Sequence, residues 1–365
     1  MSFGNDKNLT NRGSGTTDFF VVKYNSSGVA QWTQGAASGS GLNGDWANDV
    51  AVDTGGNVYV AGYYGSATLS FGNDKNLTNQ GSYDFYVVKY NSSGTAQWAQ
   101  GPASGSGTNS DYINSVFVDT SSNVYVACES NSSSLSFGND KNLTSRSPGF
   151  MDFCVAKYNS GGTAQWAQNP ASGSGASNDY GQSVFVDSGG NIYVAGRFTS
   201  STLSFGGASN DVNLTNRGST DFFVVKYNSS GVAQWAKNPV SGGGATIEYA
   251  YGVVVDSSSN VYVAGYFSST TLGFGGAGND VNLTNRGSDD FYIVKYDSSG
   301  VAGWAQNPVN GSGTGSDPAY GVAVDSSGNV YVAGYFSSTT LGFGDDYNLT
   351  NRGSDDFFVV KGSYS

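Results

Sequence analysis

The sequence predicts an all-β fold, a five-bladed β-propeller with four antiparallel strands in each blade. Three observations predict it: a unit of about seventy residues recurs five times, each unit carries strand patterns without a helical pattern, and the strands are apolar on both faces. A repeat that cannot bury its own apolar faces must stack on its neighbours. Blades that cover one another on both sides meet that need.

The repeat is clearest in a strand–turn–strand segment that recurs with few changes. It reads NDVAVDTGGNVYVAGYY from Asn48, and its other copies begin at Asn114, Gln182, Tyr251 and Tyr320. The Asp and the Gly or Asn residues at its centre favour a tight turn. We therefore expect the first two strands of each blade here.

A second hairpin follows in each repeat, with a third strand at 85–90, a turn at 91–94 and a fourth strand at 95–100 in the first complete copy. The third-strand pattern occurs six times and the others five times, so one copy is surplus. We expect a closed ring in which the N- and C-terminal strands share one blade. A short turn joins the segment from Thr16 to the fourth strand, whereas a long loop joins the copy from Ser354 to its own blade. We therefore expect the segment from Thr16 to take the third-strand position.

One domain is predicted, 1–365, with repeat units at about 48–114, 115–182, 183–251 and 252–320, and a closing blade made of 321–365 plus 1–47. The hairpin turns are short, whereas the connections between second and third strands and between blades are long. Alternate connections of an antiparallel blade lie on the same edge, so both long sets are expected on one face. Long loops on a rigid scaffold often carry function.

Two segments resemble a known family. The stretch AVDSSGNVYVAG ending at Gly334 and DFFVVKYN from Asp221 resemble the SBBP-type β-propeller repeats of bacterial surface and secreted proteins. The hairpin KYNSSGVAQW from Lys23 is similar to the tryptophan-docking hairpin of quinoprotein propellers. These resemblances imply a fold but no single activity. The second one also implies that one Trp per repeat locks neighbouring blades together: Trp32, Trp98, Trp166, Trp235 and Trp304.

An acid followed by an aromatic residue ends each blade-to-blade connection. The pairs are Asp45–Trp46, Asp111–Tyr112, Asp179–Tyr180 and Glu248–Tyr249, and in the fifth copy Asp317 is followed by Pro318 and then Tyr320. A carboxylate that accepts hydroxyl hydrogen bonds, beside an aromatic face that covers a sugar ring, is typical of a carbohydrate site. We predict a multivalent glycan-binding or adhesive module with five weak sites. The alternative is that the acid caps the loop and the aromatic residue closes the end of the blade.

Catalysis has little support in the sequence. The chain has no His, which excludes an imidazole base, and it shows neither a zinc-ligand spacing nor a phosphate-binding Gly loop. Propeller glycosidases need different acids that converge on one substrate, whereas near-identical repeats offer symmetry. We expect no enzymatic activity, no catalytic residue, no cofactor and no metal, although a calcium ion in the loops around Asp74 stays open.

The net charge of -12 argues against nucleic acid or anionic membranes as partners. No signal peptide or membrane-spanning apolar run is present, and Met1 begins within a repeat, as in a fragment of a surface protein or an engineered repeat protein. We expect an extracellular or cell-surface monomer that binds glycans or a surface protein, or a strand-exchanged dimer. The alternative function is a structural or protein–protein interaction propeller without a small-molecule site.

The chain has two cysteines, Cys128 and Cys154, on consecutive predicted strands. A cross-strand disulfide and two buried free thiols both fit this spacing, and we favour free thiols.

Overall fold

The computed structural model describes residues 1–11, 17–39, 43–104, 109–173, 177–206, 212–242, 245–278, 280–311, 315–344 and 347–362. The chain divides into two compact units, Met1–Asn169 and Pro170–Ser365. Both units are built from strands, and the described residues contain no helix.

The strands of the first unit are β1 Phe20–Tyr24, β2 Ala30–Gly35, β3 Ser38–Gly39, β4 Asp45–Val52, β5 Val58–Tyr64, β6 Thr68–Ser70, β7 Asn76–Thr78, β8 Asp84–Tyr90, β9 Ala96–Gln100, β10 Asp111–Val118, β11 Val124–Ser130, β12 Ser134–Ser136, β13 Asn142–Thr144, β14 Asp152–Tyr158 and β15 Ala164–Gln168.

The strands of the second unit are β16 Ser172–Gly173, β17 Asp179–Val186, β18 Ile192–Phe198, β19 Thr202–Phe205, β20 Val212–Thr215, β21 Asp221–Tyr227, β22 Ala233–Lys237, β23 Glu248–Val255, β24 Val261–Phe267, β25 Thr271–Phe274, β26 Val281–Thr284, β27 Asp289–Tyr296, β28 Ala302–Gln306, β29 Asn310–Gly311, β30 Ser316–Asp317, β31 Ala319–Val324, β32 Val330–Phe336, β33 Thr340–Gly342, β34 Asn348–Thr350 and β35 Asp356–Gly362.

The large sheets share one antiparallel order of first, second, third and fourth strand, as the two predicted hairpins require. Four sheets are complete: β4-β5-β8-β9 and β10-β11-β14-β15 in the first unit, and β17-β18-β21-β22 and β23-β24-β27-β28 in the second. A fifth, β31-β32-β35, has three strands. The central strands are apolar on both faces and are buried accordingly; in β8 only Lys89 is not fully buried.

Within the long connection between second and third strands, the structure has a small hairpin that the sequence analysis did not predict. In the first unit β6 pairs with β7, and Leu69 lies opposite Leu77. Leu69 and Phe71 are fully buried, so they anchor this connection to the sheet beneath it. Both residues belong to the core that also holds Tyr86.

In three repeats the tryptophan of the fourth strand docks on the next sheet of its unit, as the resemblance implies. Its indole N–H donates to the carbonyl of a turn in that sheet, from Trp32 to Ser92 at 3.0 Å and from Trp98 to Ser160 at 3.1 Å. In the second unit Trp235 makes the equivalent bond to Ser298 at 3.1 Å. These bonds and the packing beneath them join successive sheets within each unit.

Every first strand contains a β-bulge at the same place, which the sequence analysis did not predict. The register of β4 against β5 shifts between Ala47 and Asp49, so Asn48 has no partner across the ladder. A bulge adds twist and re-aims the side chains around it. The equivalent bulged residues in the other sheets are Asn114, Gln182, Tyr251 and Tyr320.

The prediction for the surplus third strand is wrong. The C-terminal copy, β35, pairs with β32 from Phe336 opposite Asp356 to Val330 opposite Gly362. The N-terminal copy, β1, pairs with β2 through the short turn after Tyr24. Each copy thus keeps the partner to which its own connection tethers it, and neither is displaced.

The two cysteines form a disulfide, so the preference for free thiols is also wrong. Cys128 lies directly opposite Cys154 in the pairing of β11 with β14, with a Cα–Cα distance of 4.7 Å. In the other large sheets a Gly faces an aromatic residue at this position, as Gly196 faces Phe223. The disulfide fills the space that the aromatic ring takes elsewhere.

Candidate functional site

The acids of the predicted acid–aromatic pairs are buried caps of a turn in their own sheet. The Asp45 carboxylate accepts the hydroxyl of Ser66 at 2.9 Å and the backbone N–H groups of Gly65 and Ser66 at 3.2 Å each. Its exposed fraction is 1%. The same arrangement joins Asp317 to Ser338. The equivalent carboxylates of Asp111, Asp179 and Glu248 are buried as well. The structure thus places these predicted site carboxylates in buried positions, where they cap a turn.

Within the units, four of these buried acids also lie beside the acid at the start of the preceding third strand: Asp45, Asp111, Glu248 and Asp317. In the second unit Asp290 and Asp317 are register partners in the parallel pairing of β27 with β30. In the first unit, burial raises the pKa of Asp84 to about 6. Burial and the neighbouring Asp84 also raise the pKa of Asp111 to about 6, against hydrogen bonds from Ser130 and Ser132. The hydrogen bonds that the two acids accept, Asp84 from Gln80 and Asp111 from Ser130 and Ser132, hold this part of the sheets in place.

The aromatic members of the pairs lie at the surface and form clusters. In the first unit Trp46 stacks on Tyr63 with ring centroids 4.8 Å apart and planes 24° apart. Tyr63 in turn meets Tyr112 of the next sheet edge-on at 4.7 Å. Tyr83 closes the group, 5.8 Å from Trp46 and 6.1 Å from Tyr112. Four rings from two sheets thus form one continuous aromatic surface.

An open cleft of about 440 Å³ lies against this surface. Besides the four rings, it is lined by the side chains of Asn48, Asn114 and Glu129. All seven lining residues come from the ends of first and second strands, from the two bulges and from the beginning of β8. A rigid aromatic floor with a few polar groups at its edge is the usual composition of a small-molecule site.

The second unit has a related cluster in which a cation replaces one ring. The guanidinium of Arg197 lies 4.2 Å from the ring centroid of Tyr180 and 4.4 Å from that of Tyr249. Tyr251 and Tyr320 continue the cluster with centroids 4.7 Å apart. Tyr266 and Tyr335 complete it, Tyr266 at 5.0 Å from Tyr249 and Tyr335 stacked at 5.8 Å from Tyr320.

The structure therefore brings the predicted aromatic residues of each unit together in a cluster. The residues that the sequence analysis missed are the bulged residues other than Tyr320, and the second-strand position between the rings. That position is occupied by Tyr63, Glu129, Arg197, Tyr266 and Tyr335. The sequence did contain a signal for this position, because the repeats are nearly identical elsewhere but differ strongly at this residue.

Among the described residues, no group of three or more Cys, Asp or Glu side chains is placed to hold a metal ion. The described residues also include no helix that is long and apolar enough to cross a membrane.

The four-stranded sheets, the docked tryptophans and the repeated strand order define a β-propeller repeat protein. The family description SBBP: Beta-propeller repeat matches residues 234–266 and 311–335, which supports an SBBP-type β-propeller repeat protein. A curated relative, described as an uncharacterized WD repeat-containing protein L264 of Acanthamoeba polyphaga mimivirus, is 27% identical over 347 residues. The alignment covers 79% of this chain but only 24% of that relative, so the chain spans about a quarter of its length. These matches support a propeller interaction module.

Several solved structures are similar at low identity. A protein of unknown function from Dyadobacter fermentans has a TM-score of 0.43 and 9% identity, covering 86% of this chain and 74% of that one. The periplasmic gluconolactonase of Pseudomonas aeruginosa has a TM-score of 0.37 and 11% identity, covering 86% and 88%. The WD40 β-propeller domain of Doa1 has a TM-score of 0.25 and 12% identity, covering 78% and 88%.

The gluconolactonase corrects the prediction that this protein is not an enzyme. A protein named for a catalytic activity is among the similar folds. At 11% identity the likeness neither gives this chain that activity nor excludes one.

Proposed function

We propose that this chain is a multivalent carbohydrate-binding, adhesive module that binds sugars on the aromatic surface of each unit. The observation that carries the proposal is the four-ring surface of Trp46, Tyr63, Tyr83 and Tyr112 beside an open cleft. Flat aromatic faces pack against the C–H face of a sugar ring, and the amides of the cleft can exchange hydrogen bonds with its hydroxyl groups.

The buried acids have a supporting role in this proposal. By capping the turn after the second strand, Asp45 and Asp111 hold the beginning of β4 and β10, and thus Trp46 and Tyr112, in fixed positions. A preorganised aromatic surface loses little conformational entropy on binding. Two such surfaces on one chain would raise avidity for a polymeric glycan well beyond that of either surface.

We also propose the closed five-bladed ring and an extracellular or cell-surface location, because a secreted adhesin would meet glycans there. An experimental structure that shows another number of blades would refute the ring. The second candidate function is a protein-interaction propeller, favoured by the relative described as a WD repeat-containing protein.

A glycan array followed by titration calorimetry of the binding sugars tests the proposal. Trp46→Ala and Tyr112→Ala are expected to weaken binding about tenfold or more, since a stacked ring contributes roughly 1–3 kcal/mol in related contacts. Tyr347→Ala is the control, because Tyr347 is 73% exposed and lies outside both clusters. If no sugar binds at high concentration, or if both cluster variants bind as the parent does, the carbohydrate proposal fails and the protein-interaction function remains.

A further inference from the structure

The cleft of the first unit carries a single charged group. Of its seven lining residues, four are aromatic, two are amides and one is the carboxylate Glu129. Glu129 lies directly opposite Tyr112 in the pairing of β10 with β11. Its carboxylate is thereby set at the edge of the aromatic surface, next to the ring on which a ligand would stack.

Glu129 also acts electrostatically on the neighbouring rings. Burial raises the pKa of Tyr63 above its ordinary value, and Tyr112, Tyr83 and Glu129 add to the rise. Besides the effect of burial, the Glu129 carboxylate therefore contributes a negative field at Tyr63. A negative field favours a cation placed over the rings. The π-faces of Trp46 and Tyr63 attract positive charge as well.

The second unit shows how this surface accommodates a cation. There the position equivalent to Glu129 is Arg197, whose guanidinium is held between Tyr180 and Tyr249 at 4.2 and 4.4 Å. The rings at this end of the sheets thus have the spacing and orientation that suit a positively charged group. In the first unit no Lys or Arg lines the cleft, so a cation there would have to come from a ligand.

We propose that the cleft of Trp46, Tyr63, Tyr83, Tyr112 and Glu129 binds an amino sugar with a free, protonated amine. This inference rests on the proposed function. The ring of the sugar stacks on the aromatic surface, its hydroxyl groups bond to Asn48 and Asn114, and its ammonium faces Glu129. A volume of about 440 Å³ accommodates one or two sugar rings. The carboxylate thus selects amino sugars over neutral and acidic ones.

The test compares a β-1,4-linked glucosamine trimer with its fully N-acetylated counterpart by titration calorimetry, at mildly acidic pH and low salt. We expect the free-amine trimer to bind about tenfold more tightly, as a charge-assisted hydrogen bond allows, with the preference shrinking as salt is added. Glu129→Gln should remove the preference by weakening the binding of the free-amine trimer, and an unchanged circular-dichroism spectrum shows that the variant is folded.

Asp297→Asn is the matched control, because it removes one carboxylate outside the cleft and restores the Asn that the same turn has at Asn25, Asn91, Asn159 and Asn228. It should keep the preference. Equal binding of the two trimers to the parent protein overturns the amino-sugar inference while the carbohydrate function stands. No binding of either trimer or of any arrayed sugar overturns both. If ethylamine competes as well as the free-amine trimer does, the cleft recognises an ammonium group without the sugar, and the inference is refuted.

Discussion

The tryptophan docking that joins successive sheets makes a sharp prediction at Gly162. This glycine ends the turn between β14 and β15 and has φ of +83°, a backbone conformation that L-residues rarely adopt. A Cβ added there would lie 2.8 Å from the indole ring of Trp98. Gly162→Ala therefore strains the turn and also forces the ring of Trp98 out of its place.

The two costs can be estimated separately. An Ala at positive φ costs roughly 1 kcal/mol, and moving a packed ring adds about 1–3 kcal/mol. We expect Gly162→Ala to lower the free energy of unfolding by about 3 kcal/mol. Trp98→Phe, which loses the 3.1 Å bond to Ser160, should cost about 1–2 kcal/mol.

Urea unfolding followed by circular dichroism measures these changes, with Gly161→Ser as the control. Gly161 has no positive φ, a Cβ there would meet only the side chain of Asn159 at 3.4 Å, and the equivalent residue in the first complete copy is Ser93. This control should be neutral or slightly stabilising. The double variant Trp98→Phe/Gly162→Ala should lose less than the sum of the single changes, because both act on one contact. Equal losses for Gly161→Ser and Gly162→Ala would refute the docking argument.

Two further predictions concern stability. The raised pKa values of Asp84 and Asp111, about 6 in the folded protein, mean that the folded state binds more protons than the unfolded state between about pH 4 and pH 6. The free energy of unfolding should therefore fall as pH rises through that range. Asp84→Asn should reduce this fall by on the order of 1 kcal/mol, since solvent screens part of the shift, and an unchanged pH profile would contradict the argument. The disulfide closes a loop with a sequence separation of 26, for which chain entropy predicts about 3.5 kcal/mol of stabilisation. Reductant should lower the urea midpoint of the parent protein but not that of Cys128→Gly/Cys154→Phe, the pair found elsewhere in the repeat, and equal sensitivity of both proteins would disprove it.

Much of the local structure follows from the repeat itself. The turn residues around Asp53 and Asn91 determine both hairpins, and the doubly apolar third strand requires a sheet covered on both sides. Burial of Phe71 and docking of Trp98 also follow, because a large apolar side chain repeated in every unit has to pack between copies. These are properties of short segments, in which neighbouring residues decide the outcome.

The candidate site depends on contacts that no short segment contains. The sequence indicates that Asp45 and Trp46 act together, but the structure buries the acid under Ser66 and leaves the ring at the surface. Only the packing of two sheets brings Trp46, Tyr63 and Tyr112 into one cluster, and only the bulge at Asn48 sets the side chains around it towards the cleft. The comparison of connection lengths also led to the wrong third strand, because the hairpin β33–β34 shortens the effective connection between β32 and β35. The sequence by itself thus determined the strands, turns and docking residues, which local propensity controls, whereas tertiary packing decided which side chains meet and which of them water and ligands can reach.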